Sequence, residues 1–427
     1  MRVETADLAI VGGGPAGLGA AVTAAGSGAR VVVLDEAPAA GGRLSLQVRE
    51  ERGPDGTIAK KPGRLESRAL ADAAAAAGAR IITGASVWGL FPEWELYLAP
   101  SDPADPGRIP DLVRAKAVVL ATGAAQNPLA IPGWTLPGVI TAGAAQALAN
   151  VHRVRPGRRA VVVGADPLGL TAARDLVLAG VEVTAVLPAA PGRYVIGPSR
   201  PEEIIRNLAR FSAHSPGAGA RLAGRLVERT GIAGLAARLY PAGGVAIWGT
   251  RLVLNRAVTA IVGDGAVRAV MVAAMDADGR PHTDRQEEWP VDTVVTSAGL
   301  APIVELAQMA GCQTAHVPAL GGHVPLYGPD LRTTVPGVFV AGSMAGITAA
   351  PVAVAQGHLA GTAAAAFLGL LSPRAATDRL SAAATAVAQA RRQNPSFLPD
   401  DAGGLRRMEE MWRRTLPDDD KTTTTGR

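Results

Sequence analysis

The feature that most constrains the fold of this chain is the first glycine turn, residues 12–17, which lies between an apolar strand and an alanine-rich helix. We predict the strand over residues 6–11, the helix over residues 18–26 and a second strand over residues 30–34. The start of such a helix offers free N–H groups and a dipole that favours an anion. The pattern therefore predicts a dinucleotide-binding βαβ unit with a pyrophosphate at the turn, rather than a turn that only connects strand to helix.

Three glycines and an acid give this motif its specificity. Gly12 permits the tight turn, Gly14 lets the backbone approach the pyrophosphate, and Gly17 allows close packing of the helix on the strand. Asp35 ends the second strand, where an acid accepts hydrogen bonds from the ribose hydroxyls. Glu36 is the alternative for that role.

A second unit of the same type begins about 150 residues later. Residues 160–163 are predicted to form a strand, residues 164–169 the second glycine turn, residues 170–179 a helix and residues 181–187 the next strand. The two units predict an α/β fold with two Rossmann-like dinucleotide-binding domains, the second inserted in the first, and a C-terminal helical extension.

The predicted domain boundaries follow turn-rich segments and shifts in composition. We expect a discontinuous first domain over residues 1–125 and 290–372, with a second domain over residues 126–289 inserted in it. A C-terminal helical segment over residues 373–417 and a disordered tail over residues 418–427 follow. Residues 377–414 are predicted to form one helix that carries Arg391, Arg392, Arg406 and Arg407. This helix is either solvated or a docking element for a partner.

The second glycine turn departs from the first at its middle glycine position, which carries Asp166. A side chain there blocks the approach of a pyrophosphate, and two like charges ~4 Å apart repel by about 4 kcal/mol at an effective dielectric of ~20. The following strand ends at Pro188 without an acid for a ribose, and Arg193 is the nearest arginine that follows it. We therefore predict that the chain does not use NAD(P)H, while Asp166 is also suited to cap the next helix.

One cysteine, Cys312, occurs among the 427 residues. This excludes an intramolecular disulfide, a cysteine-based zinc site, a self-contained iron–sulfur cluster and a redox CxxC pair, so redox chemistry requires a bound group. We predict that Cys312 is a small buried hydrophobic residue, with a reactive thiol as the alternative. The sequence shows no metal-ligand spacing and no Ser/His/Asp arrangement, and it identifies no acid–base catalyst.

Charge and hydropathy argue against two classes of partner. The net charge is +5, but the arginines are spread along the chain without a basic block that interleaves with aromatics, so nucleic acid is not expected. Residues 335–373 contain no Asp, Glu, Lys or Arg, yet prolines and glycines interrupt them, so we expect a strand, a turn and a buried helix rather than a membrane span.

Glu4 and Asp7 precede the first apolar run, which disfavours a signal peptide, and the expected location is the cytoplasm.

Three further motifs accompany the first glycine turn, namely Gly41-Gly42-Arg43, Ala121-Thr122-Gly123 and the Gly342-Ser343 turn after an apolar strand. Over roughly residues 5–370 the set resembles the two-dinucleotide-domain flavoproteins of glutathione reductase type, the pyridine nucleotide-disulfide oxidoreductase-like superfamily. The resemblance implies that the first glycine turn binds the ADP part of FAD, that the GG segment lies along the cofactor and that the last turn contacts the ribityl chain and flavin. The implied cofactor-binding residues are Gly12, Gly14, Pro15, Ala16, Gly17, Asp35, Glu36, Gly41, Gly42, Arg43, Val87, Ala121, Thr122, Gly123, Gly342 and Ser343.

Two features depart from that superfamily. Ser343 replaces the usual Asp, and a serine hydroxyl bonds a ribityl hydroxyl more weakly than a carboxylate does. The dithiol pair of the superfamily's disulfide reductases is missing, since Cys312 is alone.

Among the six histidines, His323 and His358 fall in segments expected near the flavin, and a structural role is favoured for both.

A closer resemblance is carried by residues 121–146, which read ATGAAQNPLAIPGWTLPGVITAGAAQ, and by residues 291–311 and 332–361. These stretches are similar to the α subunits of heteromeric amine and amino-acid dehydrogenases, a branch with opine oxidases, hydroxyproline and proline dehydrogenases, hydrogen cyanide synthase and, more distantly, sarcosine oxidase α. The resemblance implies a β-type subunit with its own FAD that oxidises the C–N bond of the substrate, while this chain passes electrons onward. It also implies a second nucleotide domain that is often not a working NAD site and, in some members, an additional flavin such as FMN or an iron–sulfur cluster at a subunit interface. The sequence leaves open whether the second site of this chain is empty or holds ATP or NAD(P).

The end of the chain departs from that branch. Many of its α subunits end in a cysteine-rich domain, whereas residues 373–427 contain no cysteine. A cluster would therefore be held by another polypeptide, such as a small iron–sulfur subunit. Two alternative functions stay open: a stand-alone NAD(P)H-dependent flavoprotein reductase of ferredoxin reductase type, and a non-catalytic scaffold subunit stabilised by a nucleotide.

Overall fold

The computed structural model describes residues 1–52, 58–102, 104, 109–190, 200–212, 218–276, 279–394, 396 and 398–415. Arg193 and the predicted tail over residues 418–427 lie outside the described residues. The chain divides into two compact units. The first unit contains residues 1–45 and 63–125 and the chain from residue 301 onward, and the second contains residues 46–62 and 126–300.

Short strands and helices alternate along the chain. The strands are β1 Val3–Thr5, β2 Leu8–Val11, β3 Val31–Asp35, β4 Val48–Arg52, β5 Ile58–Pro62, β6 Arg80–Thr83, β7 Ala85–Phe91, β8 Glu95–Pro100, β9 Leu112–Arg114, β10 Ala117–Leu120, β11 Ala124–Gln126, β12 Val139–Thr141, β13 Arg159–Val163, β14 Glu182–Leu187, β15 Val245–Ile247, β16 Thr250–Leu252, β17 Arg256–Gly263, β18 Val267–Met275, β19 Pro281–Pro290, β20 Thr293–Thr296, β21 Leu300–Pro302, β22 Thr314–Val317, β23 Gly322–Pro325 and β24 Val338–Val340. The helices are α1 Pro15–Gly26, α2 Gly63–Ala76, α3 Ala142–Gln146, α4 Pro167–Leu178, α5 Pro201–Phe211, α6 Ala218–Thr230, α7 Ala233–Arg238, α8 Glu305–Met309, α9 Ala350–Phe367, α10 Pro373–Gln393 and α11 Asp401–Thr415.

The first unit is built on a five-stranded parallel sheet in the order β24-β10-β2-β3-β6. β2, β3 and β10 are buried along their whole length, as expected for apolar strands that are covered on both faces. Because neighbouring strands run parallel, the carboxyl ends of β2, β3, β10 and β24 share one edge of the sheet. Most of the predicted cofactor-binding residues follow these strand ends, so the topology brings them together.

Helices α1 and α9 of the first unit pack against each other through glycines and alanines. A Cβ atom at Gly357 would lie 2.1 Å from the carbonyl oxygen of Ala16, and one at Gly361 would lie 2.5 Å from that of Ala20. Both distances are far inside van der Waals contact, so only glycine fits at these two positions. This close approach fixes the start of α1 against the helix that follows β24.

The C-terminal part of the described chain is helical, as predicted, but the prediction of one helix over residues 377–414 is wrong. The structure has two helices there, because α10 ends at Gln393 and α11 begins at Asp401. The sequence carries Pro399 in between, and proline lacks the backbone N–H that a continuous helix requires. The Asp400 carboxylate accepts a hydrogen bond from the Gly403 N–H at 3.1 Å and so caps the start of α11.

The second unit has a six-stranded sheet in the order β12-β20-β13-β14-β16-β15 and a three-stranded antiparallel sheet, β17-β18-β19. β20 lies between β12 and β13, with Val294 and Val295 fully buried. The sequence assigned residues from 290 onward to the first domain, whereas the structure keeps residues 290–300 in the second unit. A short run of buried valines suits either sheet, so the local pattern does not indicate which one β20 joins.

The uncharged run over residues 335–373 forms β24, a short turn and the largely buried helix α9, as the sequence predicts. In the part of the chain that the structure describes, no helix is both long and apolar enough to cross a membrane.

Candidate functional site

The first glycine turn has the geometry that its sequence predicts. Gly12 has φ +103°, and a Cβ atom there would lie 2.3 Å from the Ala121 carbonyl oxygen. A Cβ atom at Gly17 would lie 1.8 Å from the carbonyl oxygen of Gly12. Glycine at these two positions is therefore required by the packing of β2, α1 and β10, whether or not a ligand is bound.

Gly14 differs from these two glycines, because the protein itself leaves room for a side chain there. The nearest protein atom to a Cβ built on Gly14 is the Cα of Gly42, at 3.9 Å, which is ordinary contact distance. Gly14 is the N-cap of α1 and makes no side-chain cap, and the first turn of α1 contains no acidic residue. The start of the helix thus has no side-chain cap and no acidic neighbour in its first turn, as a pyrophosphate site requires.

Asp35 and Glu36, the two acids at the end of β3, have different surroundings. Asp35 is 8% exposed, and its carboxylate accepts hydrogen bonds from the Gly13 N–H at 2.6 Å and the Ala37 N–H at 2.8 Å. Burial raises the pKa of Asp35, and these two backbone hydrogen bonds partly offset the rise. Asp35 therefore holds the first glycine turn against β3, whereas Glu36 is exposed at the strand end.

The GG segment lies directly against the first glycine turn. The Gly41 N–H donates to the Gly13 carbonyl oxygen at 2.7 Å, and a Cβ atom on Gly42 would lie 2.9 Å from the Cα of Gly14. Arg43 follows on a short 3-10 helix and is half-buried, with its Nη1 donating to the Ala124 carbonyl oxygen at 3.3 Å. Burial lowers the pKa of the Arg43 guanidinium.

The segment that ends β10 continues this arrangement. Ala121 packs against Gly12, and Gly123 has φ +78°. The Thr122 hydroxyl donates to the Ile303 carbonyl oxygen at 2.8 Å and lies 3.3 Å from the sulfur of Met344. Thr122 thus connects the end of β10 to the turn that follows β24.

The turn after β24 depends on residues that the motifs did not indicate. Gly342 has φ +72°, and its N–H donates to the side-chain oxygen of the buried Gln356 at 3.1 Å. The Tyr327 hydroxyl donates to the Ala345 carbonyl oxygen at 2.7 Å. These two contacts leave Ser343 half-buried at the edge of the sheet. The sequence offered one signal for this role of Gln356, namely that it is a polar residue within an uncharged, buried helix, where a side chain of this kind requires a hydrogen-bond partner.

The remaining predicted residues have ordinary structural surroundings. Val87 is half-buried in β7 and packs against the core of the first unit. His358 on α9 lies 2.7 Å from the Thr23 hydroxyl, and burial lowers the pKa of its imidazole. His323 is exposed on β23 opposite His316. Cys312 is buried, with its sulfur 3.3 Å from the Thr333 hydroxyl, so the prediction that it is a small buried residue is confirmed.

The second glycine turn keeps two of its three glycine requirements. A Cβ atom at Gly164 would lie 1.9 Å from the Ser297 carbonyl oxygen, and one at Gly169 would lie 2.2 Å from the carbonyl oxygen of Gly164. At the middle position, the Asp166 carboxylate caps α4 by accepting a hydrogen bond from the Gly169 N–H at 2.8 Å. The capping role that the sequence offered for Asp166 is confirmed.

The Asp166 carboxylate is also held from the other side of the turn. The Ser297 hydroxyl lies 2.9 Å from each of its two oxygens. Burial raises the pKa of Asp166, and the hydrogen bonds from Gly169 and Ser297 only partly offset that rise. The start of α4 is thus occupied by a side chain of the protein, whereas the start of α1 is open.

Two βαβ units, each with a glycine turn against the start of a helix, define a two-domain dinucleotide-binding α/β protein. The chain belongs to the pyridine nucleotide-disulphide oxidoreductase family, whose sequence model matches residues 6–209 and 247–357. The resemblance and the fold class that the sequence predicted are both confirmed.

Several relatives are named as oxidase subunits. An opine oxidase subunit from Agrobacterium tumefaciens (strain Ach5) is 32% identical over 391 residues, which cover 90% of this chain and 70% of the relative. Its counterpart in Rhizobium meliloti is 30% identical, with 88% of this chain and 66% of the relative covered. Hydrogen cyanide synthase subunit HcnB of Pseudomonas aeruginosa is 27% identical, and the match covers 82% of this chain and 69% of the relative. This chain therefore spans about two thirds of the length of these relatives and is, by family and relatives, an FAD-dependent oxidoreductase.

Solved structures share the fold. L-proline dehydrogenase from P. horikoshii superposes with a TM-score of 0.60 at 20% identity, over 90% of this chain and 60% of that chain. Thioredoxin reductase from T. acidophilum superposes with a TM-score of 0.58 at 21% identity, over 85% of this chain and 98% of that chain. The fold is therefore common to proteins that differ widely in sequence.

Proposed function

We propose that the chain is the FAD-binding electron-transfer subunit of a heteromeric enzyme that oxidises the C–N bond of an amine or amino acid. In this proposal the substrate is oxidised in a β-type partner subunit that carries its own FAD. The relatives named as opine oxidase and hydrogen cyanide synthase subunits support a heteromeric assembly. The observation that carries the proposal is Asp166, because its carboxylate occupies the start of α4, where a working NAD(P)H site would bind pyrophosphate.

The first unit supplies the site for FAD in this proposal. We assign the pyrophosphate to the start of α1 beside Gly14, because this helix end has no side-chain cap and no acidic residue in its first turn. Pro15, Ala16 and Gly17 begin that helix, and Gly342 and Ser343 are assigned to the ribityl end. FAD supplies the redox chemistry by accepting a hydride or single electrons at its isoalloxazine, while this chain binds and orients it.

The other cofactors and partners belong to the same proposal. An iron–sulfur cluster, where the complex has one, is assigned to a small separate subunit because this chain has a single cysteine. An FMN is assigned to a subunit interface, and the second nucleotide site is either empty, as the position of Asp166 favours, or holds ATP or NAD(P). We place the complex in the cytoplasm.

Glu36 is assigned to the adenosine ribose of FAD, because Asp35 already accepts two backbone hydrogen bonds and Glu36 is exposed at the same strand end. We expect Glu36→Gln to weaken FAD binding about tenfold to a hundredfold, since a hydrogen bond to a charged group contributes roughly 1.5–3 kcal/mol. Titration of the FAD-free protein with FAD measures the change. Glu305→Gln, at an exposed position of α8, is the matched control and leaves the affinity unchanged. If Glu36→Gln and the wild type bind FAD with equal affinity, the ribose contact is assigned to Asp35 instead.

The heteromeric proposal is tested by purifying the chain alone and together with a co-expressed β-type amine-oxidising flavoprotein from the same gene neighbourhood. We expect oxidation of an amine or amino acid by the complex, and none by this chain alone, with each protein loaded with FAD. Amine oxidation by the isolated chain at the rate of the complex would show that the substrate site lies in this polypeptide.

The same preparations separate the two alternative functions. Since Asp166 fills the second glycine turn, we expect NADH and NADPH to leave the bound flavin oxidised over many minutes. Rapid bleaching by either nucleotide would instead identify a stand-alone reductase. A flavin that is never reduced by substrate in the complex would identify a scaffold subunit.

A further inference from the structure

Arg43 carries a charge that the described protein does not neutralise. Its guanidinium has five N–H donors, and among the described residues its hydrogen-bond partner is a single neutral group, the Ala124 carbonyl oxygen at 3.3 Å. No carboxylate of the described residues forms an ion pair with it. Burial lowers the pKa of Arg43, as expected for a cation that has lost water without gaining an opposite charge. Such a group is stabilised when an anion binds beside it.

Three pairwise contacts within the first unit connect the acids of β3, the first glycine turn and Arg43. At one end, the Asp35 carboxylate at the end of β3 holds the Gly13 N–H. In the middle, Gly42 lies against Gly14, where the pyrophosphate is expected. At the other end, Arg43 reaches past Gly42 to the Ala124 carbonyl oxygen, beyond the end of β10.

FAD has its own linear order, in which the pyrophosphate lies between the adenosine ribose and the ribityl chain that carries the isoalloxazine. The acids at the end of β3 mark the adenosine side of Gly14. Arg43 extends to the opposite side, toward the segment where Thr122 touches Met344, the neighbour of Ser343. With the acids of β3 assigned to the adenosine side, this order of contacts assigns Arg43 to the flavin side of the pyrophosphate.

We propose that Arg43 places its guanidinium against the isoalloxazine of bound FAD and makes reduction of the ring more favourable. Two-electron reduction with uptake of one proton leaves the ring with one negative charge, and a fixed cation beside it stabilises that charge. In the proposed complex the two electrons come from the C–N bond that is oxidised to an imine, and the second proton of that oxidation goes to solvent. The inference rests on the proposed FAD site.

The test compares Arg43→Gln with the wild type in the full-length chain loaded with FAD. We expect Arg43→Gln to lower the equilibrium constant for two-electron reduction about tenfold, which corresponds to a midpoint potential lower by about 30 mV. Titration against a reference dye of known potential measures this change. Arg43→Lys keeps the charge and restores part of the loss. Arg64→Gln removes a charge from an exposed position on α2 and leaves the potential unchanged.

FAD affinity provides the second readout. We expect Arg43→Gln to change the dissociation constant of FAD less than about threefold, because a contact with the ring is strengthened mainly by reduction. An unchanged potential with FAD binding weakened more than about tenfold would assign Arg43 to the pyrophosphate and overturn the inference. Unchanged values of both would overturn it as well. A wild-type chain that binds no FAD would overturn the proposed FAD site itself, which distinguishes the two failures.

Discussion

Gly14→Val is expected to give a folded protein that purifies without FAD. The added Cβ atom lies 3.9 Å from the Cα of Gly42, and the valine methyl groups extend from it into the region that we assign to the pyrophosphate. A clash of this kind costs about 3 kcal/mol, so we expect FAD affinity to fall by about a hundredfold or more. The flavin absorbance of the purified protein and titration with FAD both measure the loss. Gly14→Ala, with a smaller side chain, should lose part of the affinity.

The structure explains why this variant separates binding from folding. Gly14 has φ −76° and ψ −176°, an extended conformation that valine adopts, and a Cβ atom there lies at ordinary contact distance, 3.9 Å, from the nearest protein atom. We therefore expect the FAD-free forms of Gly14→Val and the wild type to unfold at the same temperature. Gly26→Ala, at the other end of α1 with no atom within 4 Å, is the matched control and keeps its FAD. A Gly14→Val protein that is fully loaded with FAD would show that the pyrophosphate lies elsewhere.

Asp166→Ala is expected to destabilise the second unit while leaving FAD content unchanged. The substitution removes the N-cap of α4, at about 0.5–2 kcal/mol, and leaves the Ser297 hydroxyl without its carboxylate partner, at about 1–3 kcal/mol. We therefore expect the free energy of unfolding of this unit to fall by roughly 2–4 kcal/mol. Hydrogen exchange of the backbone amides of residues 126–300, measured in increasing urea, reports the stability of the second unit separately from that of the first.

Two further variants define what Asp166 does. Asp166→Asn keeps a good capping residue without the charge, so we expect most of the stability to remain. Asp166→Gly restores the glycine of the fingerprint, yet it is expected not to confer reduction by NADH, because β14 is followed by Pro188 where an acid would hold the ribose. Rapid reduction of the Asp166→Gly protein by NADH would show that the side chain alone closes the nucleotide site.

Much of this fold could be predicted from local sequence. Gly12 and Gly17 predict a tight turn with no room for a side chain at either position. In the structure, a Cβ atom at either residue would overlap a backbone carbonyl oxygen. Asp166 was predictable both as a helix cap and as an obstacle to a pyrophosphate. A short carboxylate at the start of a helix accepts hydrogen bonds from the free N–H groups there. The contact between Gly17 and Gly12 and the cap between Asp166 and Gly169 join residues within a few positions of each other, where the sequence pattern is informative.

Other features depend on partners that are distant in the chain. Asp35 and Glu36 are adjacent acids, and only their burial distinguishes the one that holds the turn from the one that faces outward. Gln356 supports Gly342 through a single hydrogen bond between a helix and a turn, which no spacing rule indicates. The assignment of β20 to the second sheet depends on which strands flank it, and its valines suit both sheets. The roles of the predicted cofactor-binding residues stay predictions until the variants above are measured.

The contact between α1 and α9 has a consequence for synthesis of the chain on the ribosome. Thr23 on α1 meets His358 on α9, a partner 335 residues further along. When translation has reached residue 300, the sequence of the second unit is complete, while β24 and α9 of the first unit have not yet been made. The nascent N-terminal segment therefore exposes the glycine- and alanine-rich face of α1 until α9 emerges. Completion of the FAD-binding unit is a late event, and truncation before residue 350 leaves that unit without α9, the partner of its first helix.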